Sequence, residues 1–205
     1  FYILAWFFSI VLHPLLMPTV LFSIIFIYAA ELLPLSVEAK RQTIIELFVL
    51  TFVVPAGTIV LLFVSGIIPS LTLMHRKERA IPAFITSLIY TGIYYLFVNY
   101  LNANRVLILF MGTISFSVVM LSVMSFSIKL SIHTAGITGI LGILLALLYR
   151  NQNLSALLMP IVIIIAAGGV VASARLYLNA HNWQQVLFGA VAGFCFGFLP
   201  IAYLY

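Results

Sequence analysis

This sequence has very few charged residues, and that shortage defines its class. Asp, Glu, Lys and Arg make up only 6% of the 205 residues, whereas a soluble domain carries about 25%. Hydrophobic residues account for 65% of the chain. Because a water-facing surface cannot be built from so few charges, the composition excludes a soluble enzyme, a secreted disulfide-linked domain, a disordered regulator and a nucleic-acid-binding protein. It predicts an integral membrane protein.

The chain also lacks aspartate and has a single cysteine. Its four acidic residues are all glutamate, which excludes chemistry that depends on Asp-rich metal motifs. Cys195 alone cannot form an intrachain disulfide. The four histidines share no metal-ligand spacing such as H-x-x-x-H, so we expect neither a metal nor a cofactor. The net charge of +5 favours contact with phosphate or anionic headgroups.

Long apolar runs predict membrane-spanning helices, since about 20 apolar residues cross the hydrocarbon core and the runs do not alternate as barrel strands do. Pro14 and Pro18 should kink the first run or divide it into two helices, and Pro55 with Gly57 should bend the second. The expected fold class is all-α, a polytopic helical membrane protein with six or seven transmembrane helices in one bundle and one domain, 1–205. The predicted spans are 2–30, 44–69, 82–101, 106–128, 134–149, 157–178 and a last helix that follows the polar stretch 179–185 and ends near Tyr205.

Three polar connections are predicted to share one membrane face. Two spans precede the connection at 75–79, two more lead to 129–133, and another two lead to 175–181. Five basic residues fall on this face and four on the other, so the positive-inside rule leaves the orientation open. The five are Arg76, Lys77, Arg79, Lys129 and Arg175.

Two of these connections carry residues suited to phosphate chemistry. Ser131 and His133 lie at a predicted helix N-terminus, where free N–H groups and the helix dipole favour an anion; alternatively, Ser131 is only an N-cap and His133 lies at headgroup level. Arg175 ends an apolar helix, where an unpaired charge is costly. Gln185 lies four residues after His181, so it can hold one imidazole nitrogen and fix the tautomer. The alternative is a snorkelling Arg175 and an interfacial His181.

Taken together, the two stretches resemble the type-2 phosphatidic acid phosphatase superfamily. The second motif of that family reads P-S-G-H, often followed by T-A, and this chain has L-S-I-H-T-A at 130–135. The third motif reads S-R-x5-H-x3-D, and this chain has A-R-x5-H-x3-Q at 174–185. The order of the motifs and their common membrane face also agree. The resemblance covers about 129–197, within a phosphatase-like core of roughly 70–205.

The resemblance implies a mechanism without metal. His181 would be the nucleophile that attacks phosphorus, and His133 would be the general acid. Gln185 would replace the aspartate that orients the nucleophile, and Arg175 and Ser131 would hold phosphoryl oxygens. The family's first motif, K-x6-R-P, has no match in spacing here. The corresponding region supplies further candidate phosphate ligands, which are Arg76, Lys77 and Arg79. Lys129, in the connection at 129–133, is another candidate.

The predicted activity is therefore that of a membrane-embedded phosphatase for lipid phosphates or diphosphates, acting through a phosphohistidine intermediate. Its expected partners are an anionic lipid substrate and membrane lipids, with no nucleic acid; the expected location is the bacterial inner (cytoplasmic) membrane, and the oligomeric state stays open. The alternative is a weak or inactive phosphatase-like protein that binds or moves anionic lipids, because Gln185 cannot stabilise an imidazolium with a charge.

Two other features are given structural interpretations. His13, which precedes Pro14 inside an apolar run, is interpreted as a packed or hinge histidine. Gly189, Gly193 and Gly197 recur every four residues. Such small-residue spacing predicts close helix packing and not a phosphate loop.

Overall fold

A computed structural model of the chain describes residues 1–70, 76–99 and 103–205, with the backbone alone at 76–79. The described part consists of helices, turns and loops without a strand. Three 3₁₀ turns lie at Pro14–Leu16, Ala30–Leu32 and Ser155–Leu157, and a π-helical turn at Val49–Val53 joins two helices of the second span. The α-helices are α1 Tyr2–Val11, α2 Met17–Tyr28, α3 Val37–Phe48, α4 Val54–Val64, α5 Arg76–Asn99, α6 Arg105–Ser127, α7 Ile132–Arg150, α8 Leu158–Tyr177 and α9 Trp183–Leu204.

Seven described segments are long and apolar enough to cross a membrane. This confirms the all-α membrane class and gives the higher of the two predicted span counts. The last four spans begin and end within two residues of the predicted limits, apart from the start of the last, which the sequence left undefined. The segments are Tyr2–Tyr28, Val37–Val64, Ala80–Asn99, Arg105–Ser127, Ile132–Arg150, Ser155–Tyr177 and Trp183–Leu204.

The first apolar run is divided into two helices. Helix α1 ends at Val11, and His13 takes an extended backbone conformation before the 3₁₀ turn that leads into α2. The proline at position 14 begins that turn, where its missing N–H costs nothing. The Nδ1 atom of His13 accepts a hydrogen bond from the N–H of Leu15 at 3.3 Å and so caps the turn.

The second and third spans begin earlier than predicted. Helix α3 starts at Val37, not near residue 44, because the Ser36 hydroxyl caps it by accepting the N–H of Ala39 at 3.2 Å. Its polar first turn was mistaken for a loop. The span ends at Val64, not at 69, and Gly66 follows with a φ of +72°, a conformation that glycine adopts readily. Helix α5 starts at Arg76 and includes Pro82, which was expected to begin it; residues 100–102 lie outside the described part.

A π-helical turn lies just before Pro55, where the sequence predicts a bend. Proline has no N–H to donate to the carbonyl four residues earlier, which belongs to Thr51. The hydroxyl of the buried Tyr90 donates to this carbonyl at 2.9 Å. The proline therefore changes the helix and also creates an acceptor that ties α5 to the second span.

Helices α7 and α9 run side by side in the same direction, and their backbones touch. A Cβ atom added at Gly193 would overlap the backbone of Ala135, and one at Gly197 would overlap the carbonyl oxygen of Gly139. At Gly189 the neighbour is the carbonyl oxygen of Ser131. The glycines therefore allow the two backbones to touch, which confirms the prediction of close helix packing.

This contact also aligns the starts of the two helices at one membrane face, called the site face below. The Ser131 N–H donates to the carbonyl of Gln185 at 3.0 Å, and the Thr134 hydroxyl donates to that of Val186 at 3.1 Å. The start of α5 lies at the same face, because the hydroxyl of Ser122, near the end of α6, donates to the carbonyl of Ala83 at 3.2 Å.

Replacing Gly193 by alanine should destabilise the fold. The added Cβ forces α7 and α9 apart, and overpacking of this kind costs about 1–3 kcal/mol. The measurement is the thermal unfolding midpoint in detergent. Gly92→Ala is the matched control, since nothing lies within 4 Å of a Cβ at that helical position. Equal midpoints for the two variants would contradict the close contact.

Candidate active site

A cavity of about 330 Å³ lies between α2, α5, α6 and α7. Its charged and imidazole lining side chains come from the site face, where the ends of several helices meet. Its apolar lining continues deeper, as far as Ile143, which lies ten residues after His133 on α7 and so about 15 Å along the helix. The polar lining side chains at the site face are those of His13, Lys129, His133, Arg175 and His181.

His181 is held by Gln185. The Nδ1 atom of His181 lies 3.0 Å from Oε1 of Gln185, as the spacing predicted. The geometry differs from the expected shared helix face, because α9 begins only at Trp183 and His181 precedes its N-cap, Asn182. Gln185 and Asn182 form a capping box, in which Oε1 also accepts the Asn182 N–H at 3.4 Å.

The capping box determines the tautomer of His181. An amide oxygen only accepts hydrogen bonds, so its contact with Nδ1 requires the ring proton at that nitrogen. In the neutral ring Nε2 then carries the lone pair. His181 lines the cavity, and its ring is thus prepared to act as a nucleophile or base through Nε2.

His133 lies in the first turn of α7 and meets residues of the N-terminal segment. Its side chain lies close to the backbone of Ser9. Its ring packs edge-to-face against that of His13, with the centroids 5.3 Å apart. These two contacts fix the ring at the N-terminus of α7, where the free N–H groups of its first turn are also directed.

Arg175 brings a positive charge to the cavity, and among the described residues no carboxylate lies beside it. Its Nη1 atom donates to the Ser9 hydroxyl at 3.4 Å, while Nε is buried and has no hydrogen-bond partner in the described part of the chain. The ion pair found among the described residues joins Arg41 and Glu38, which lie in the first turns of α3. A half-buried guanidinium bordered by imidazoles favours an anion in the cavity.

The structure therefore brings together four of the residues that the sequence singled out for the site. His133, Arg175, His181 and Lys129 line one cavity, and Gln185 supports His181 from behind. Within the described residues no three His, Cys, Asp or Glu side chains are grouped as metal ligands.

One other predicted site residue lies away from the cavity, and three have side chains outside the described part of the chain. Ser131 is fully buried and does not line the cavity; its hydroxyl accepts the Thr134 N–H at 3.4 Å, which is the N-cap alternative. The side chains of three predicted phosphate ligands, and the whole of residues 71–75, lie outside the described part. These three ligands are Arg76, Lys77 and Arg79.

Sequence reasoning missed the contribution of the N-terminal segment. Ser9 contacts both Arg175 and His133, and His13 lines the cavity as well as capping the turn before α2. The available signal was a polar pair four residues apart, S-x3-H, in a run that is otherwise apolar. Polar residues inside such a run are costly unless they meet other polar groups.

The comparison with protein families identifies one match. The model of the PAP2 superfamily matches residues 122–205, which include the end of α6 and the whole of α7, α8 and α9. Both motif segments lie inside this range, whereas the N-terminal residues of the site lie outside it. No curated protein and no solved structure matches the chain. The family match confirms the resemblance drawn from residues 129–197.

Replacing Arg175 by methionine should separate anion binding from stability. Without a ligand, the variant should unfold at the same or a higher temperature, because a buried charge that lacks a carboxylate is removed. Inorganic phosphate should stabilise the unaltered chain by mass action and should leave the variant unchanged. The measurement is the unfolding midpoint with and without phosphate.

The control for this variant is Arg150→Met. Arg150 is the last residue of α7 and lies away from the site face, where α7 begins. This control should keep the stabilisation by phosphate. If Arg175→Met were stabilised as strongly as the control, the guanidinium would not be the anion ligand.

Proposed function

We propose that this chain, whose residues 122–205 match the model of the PAP2 superfamily, is a membrane-embedded, metal-independent phosphatase for lipid phosphates or diphosphates. Members of this superfamily are generally phosphatases. The observation that carries the proposal is that His133, Arg175 and His181, which come from separate elements, border one cavity. We further propose a phosphohistidine intermediate, with no cofactor, and the bacterial inner membrane as the location.

In the proposed first step, Nε2 of His181 attacks phosphorus. An N–P bond forms and the bond from phosphorus to the lipid oxygen breaks, so the phosphoryl group moves to the protein. The contact with Gln185 supports this role, because it directs the lone pair to Nε2. In the second step water attacks phosphorus, the N–P bond breaks, and inorganic phosphate leaves.

His133 is proposed to handle the proton in both steps. Its ring lies beside the backbone of Ser9, and a ring nitrogen exchanges the proton with the reacting group. In the first step it protonates the departing lipid oxygen, and in the second it takes a proton from the attacking water. The fixed ring position lowers the cost of organising this transfer.

The phosphoryl oxygens are proposed to bind Arg175, Lys129 and the N-terminal N–H groups of α7. These groups give the site face a positive potential. Among the described residues, no carboxylate lies beside Arg175. Arg76, Lys77 and Arg79 stay proposals as further ligands at the same face. For Ser131 we propose the cap of α7, which holds these N–H groups in place.

The shape of the cavity supports an anionic lipid as substrate. Its charged and imidazole side chains lie at the site face, and its deeper wall is mostly apolar, with Leu21, Val118 and Ile140 among the lining residues. A phosphate headgroup fits the first region and the proximal part of an acyl or prenyl chain fits the second. A soluble phosphate ester would leave the apolar wall without a partner.

A second candidate function is binding or movement of anionic lipids without turnover. It is favoured by one specific observation, the neutral Gln185 at 3.0 Å from His181. A carboxylate there would stabilise the imidazolium, and charge-assisted hydrogen bonds are roughly twice as strong as neutral ones. The two functions share the same anion site and differ in the rate of phosphate release.

His181→Ala should abolish phosphate release from lipid phosphates, because it removes the nucleophile. Activity should be compared over long-chain lipid phosphates, lipid diphosphates and a soluble phosphate ester, with the lipids preferred. Gln184→Ala, at an exposed neighbouring position, is the control and should keep the activity. An acid-labile phosphohistidine should be trapped in the unaltered chain and absent from the variant. Equal release by both proteins would refute the phosphatase mechanism; binding of lipid phosphates without release would support the second candidate.

Gln185→Glu should increase the rate of phosphate release, by about tenfold if the added charge contributes one charge-assisted hydrogen bond. Glutamate keeps the reach of glutamine and is itself a common partner in the capping box. Gln185→Leu should be slower than the unaltered chain. Initial rates on one lipid phosphate are sufficient for the comparison. A glutamate variant no faster than the parent would contradict the proposed role of the residue.

A further inference from the structure

We infer that His13 is a further ligand of the phosphoryl group, donating a hydrogen bond from Nε2–H. The inference rests on the proposed function for the identity of the anion. It adds a residue from the N-terminal segment, which lies outside the residues matched by the family model.

The first observation is the fixed tautomer of His13. Its Nδ1 accepts the N–H of Leu15 at 3.3 Å and caps the turn at Pro14–Leu16. A ring nitrogen that accepts a hydrogen bond carries no proton, so in the neutral ring the proton is on Nε2. The backbone cap thus turns the other edge of the ring, a hydrogen-bond donor, away from its own main chain.

The second observation is the location of the ring. It lines the same cavity as Arg175 and His181, and its centroid lies 5.3 Å from that of His133 and 6.3 Å from that of Phe52. Packing between an aromatic ring and an imidazole leaves little freedom to the His13 ring. Among the described residues, the ring accepts a hydrogen bond from the Leu15 N–H.

The third observation is the balance of donors at the site face. Arg175 offers only donors, and the tautomers derived above give His13 an N–H donor and His181 a lone pair at Nε2. A donor beside a guanidinium forms its strongest hydrogen bond with an anionic acceptor, and a phosphoryl group supplies several negatively charged oxygens. The rings of His13 and His133, whose centroids are 5.3 Å apart, can contact different oxygens of one phosphoryl group.

Two substitutions separate the role of His13 as a cap from its role as a ligand. Asparagine places Oδ1 where the imidazole has Nδ1 and is a preferred N-cap, but it lacks a donor at the position of Nε2. Glutamine places its amide N–H near the position of Nε2, but it is a poor cap. The inference therefore predicts that His13→Gln binds the anion more tightly than His13→Asn, and that His13→Asn is the more stable of the two variants.

The experiment uses the full chain in detergent and orthovanadate as the phosphoryl mimic. The dissociation constant is measured by calorimetry for the parent, His13→Asn and His13→Gln, together with each unfolding midpoint. His13→Asn should bind vanadate about tenfold or more weakly, as expected for a lost hydrogen bond to a charged group, and should unfold close to the parent. His13→Gln should bind more tightly than His13→Asn and unfold at a lower temperature.

The outcomes are distinguishable from those of the proposed phosphatase activity, because vanadate binding does not require turnover. If the parent binds vanadate with the predicted ranking but releases no phosphate from lipids, the inference stands and the hydrolytic function fails. Should His13→Asn bind as tightly as the parent, or His13→Gln bind more weakly than His13→Asn, His13 is a structural hinge and the inference is overturned. Absence of vanadate binding by the parent overturns it as well.

Discussion

The contact between α7 and α9 is the constraint on which the rest of the site depends. Glycines at 189, 193 and 197 let two parallel helices approach until their backbones touch. At this distance the Ser131 N–H reaches the carbonyl of Gln185, so the start of α7 is registered against the first turn of α9. His133 and His181 therefore face one cavity because of glycine spacing further along the helices. A membrane favours this solution, since lipid provides no hydrophobic force between helices and close packing must do so instead.

The electrostatics of the site face depend on Arg175, which has no carboxylate beside it among the described residues. A guanidinium inside an apolar bundle is costly, and proteins normally pair it with a carboxylate. This chain has few acidic residues and no aspartate, and the described surroundings of Arg175 offer the Ser9 hydroxyl and imidazoles instead. The cavity is left with a positive potential at one end and an apolar wall at the other. Both properties support the proposed anionic lipid substrate.

Local sequence patterns predicted a large part of this arrangement. The apolar runs gave the spans because their length and hydropathy are properties of each segment alone. The i,i+4 spacing of His181 and Gln185 predicted their contact correctly, although a capping box and not a helix face produces it. The start of α3 was misplaced because polar residues at a helix end, beyond the hydrocarbon core, look like a loop. Ser36 as an N-cap was the signal that separates the two.

The composition and spacing of the sequence thus determined the class, the limits of most spans, the resemblance to the PAP2 superfamily and the contact between His181 and Gln185. Tertiary structure alone decided the roles of three residues: Ser131 became a buried cap, and Ser9 and His13 became part of the cavity. The physical reason is distance along the chain. Ser9 lies more than a hundred residues from its partners His133 and Arg175, so no local period or motif encodes their meeting. Their contact exists only because α1 and the turn after it pack against the ends of α7 and α8.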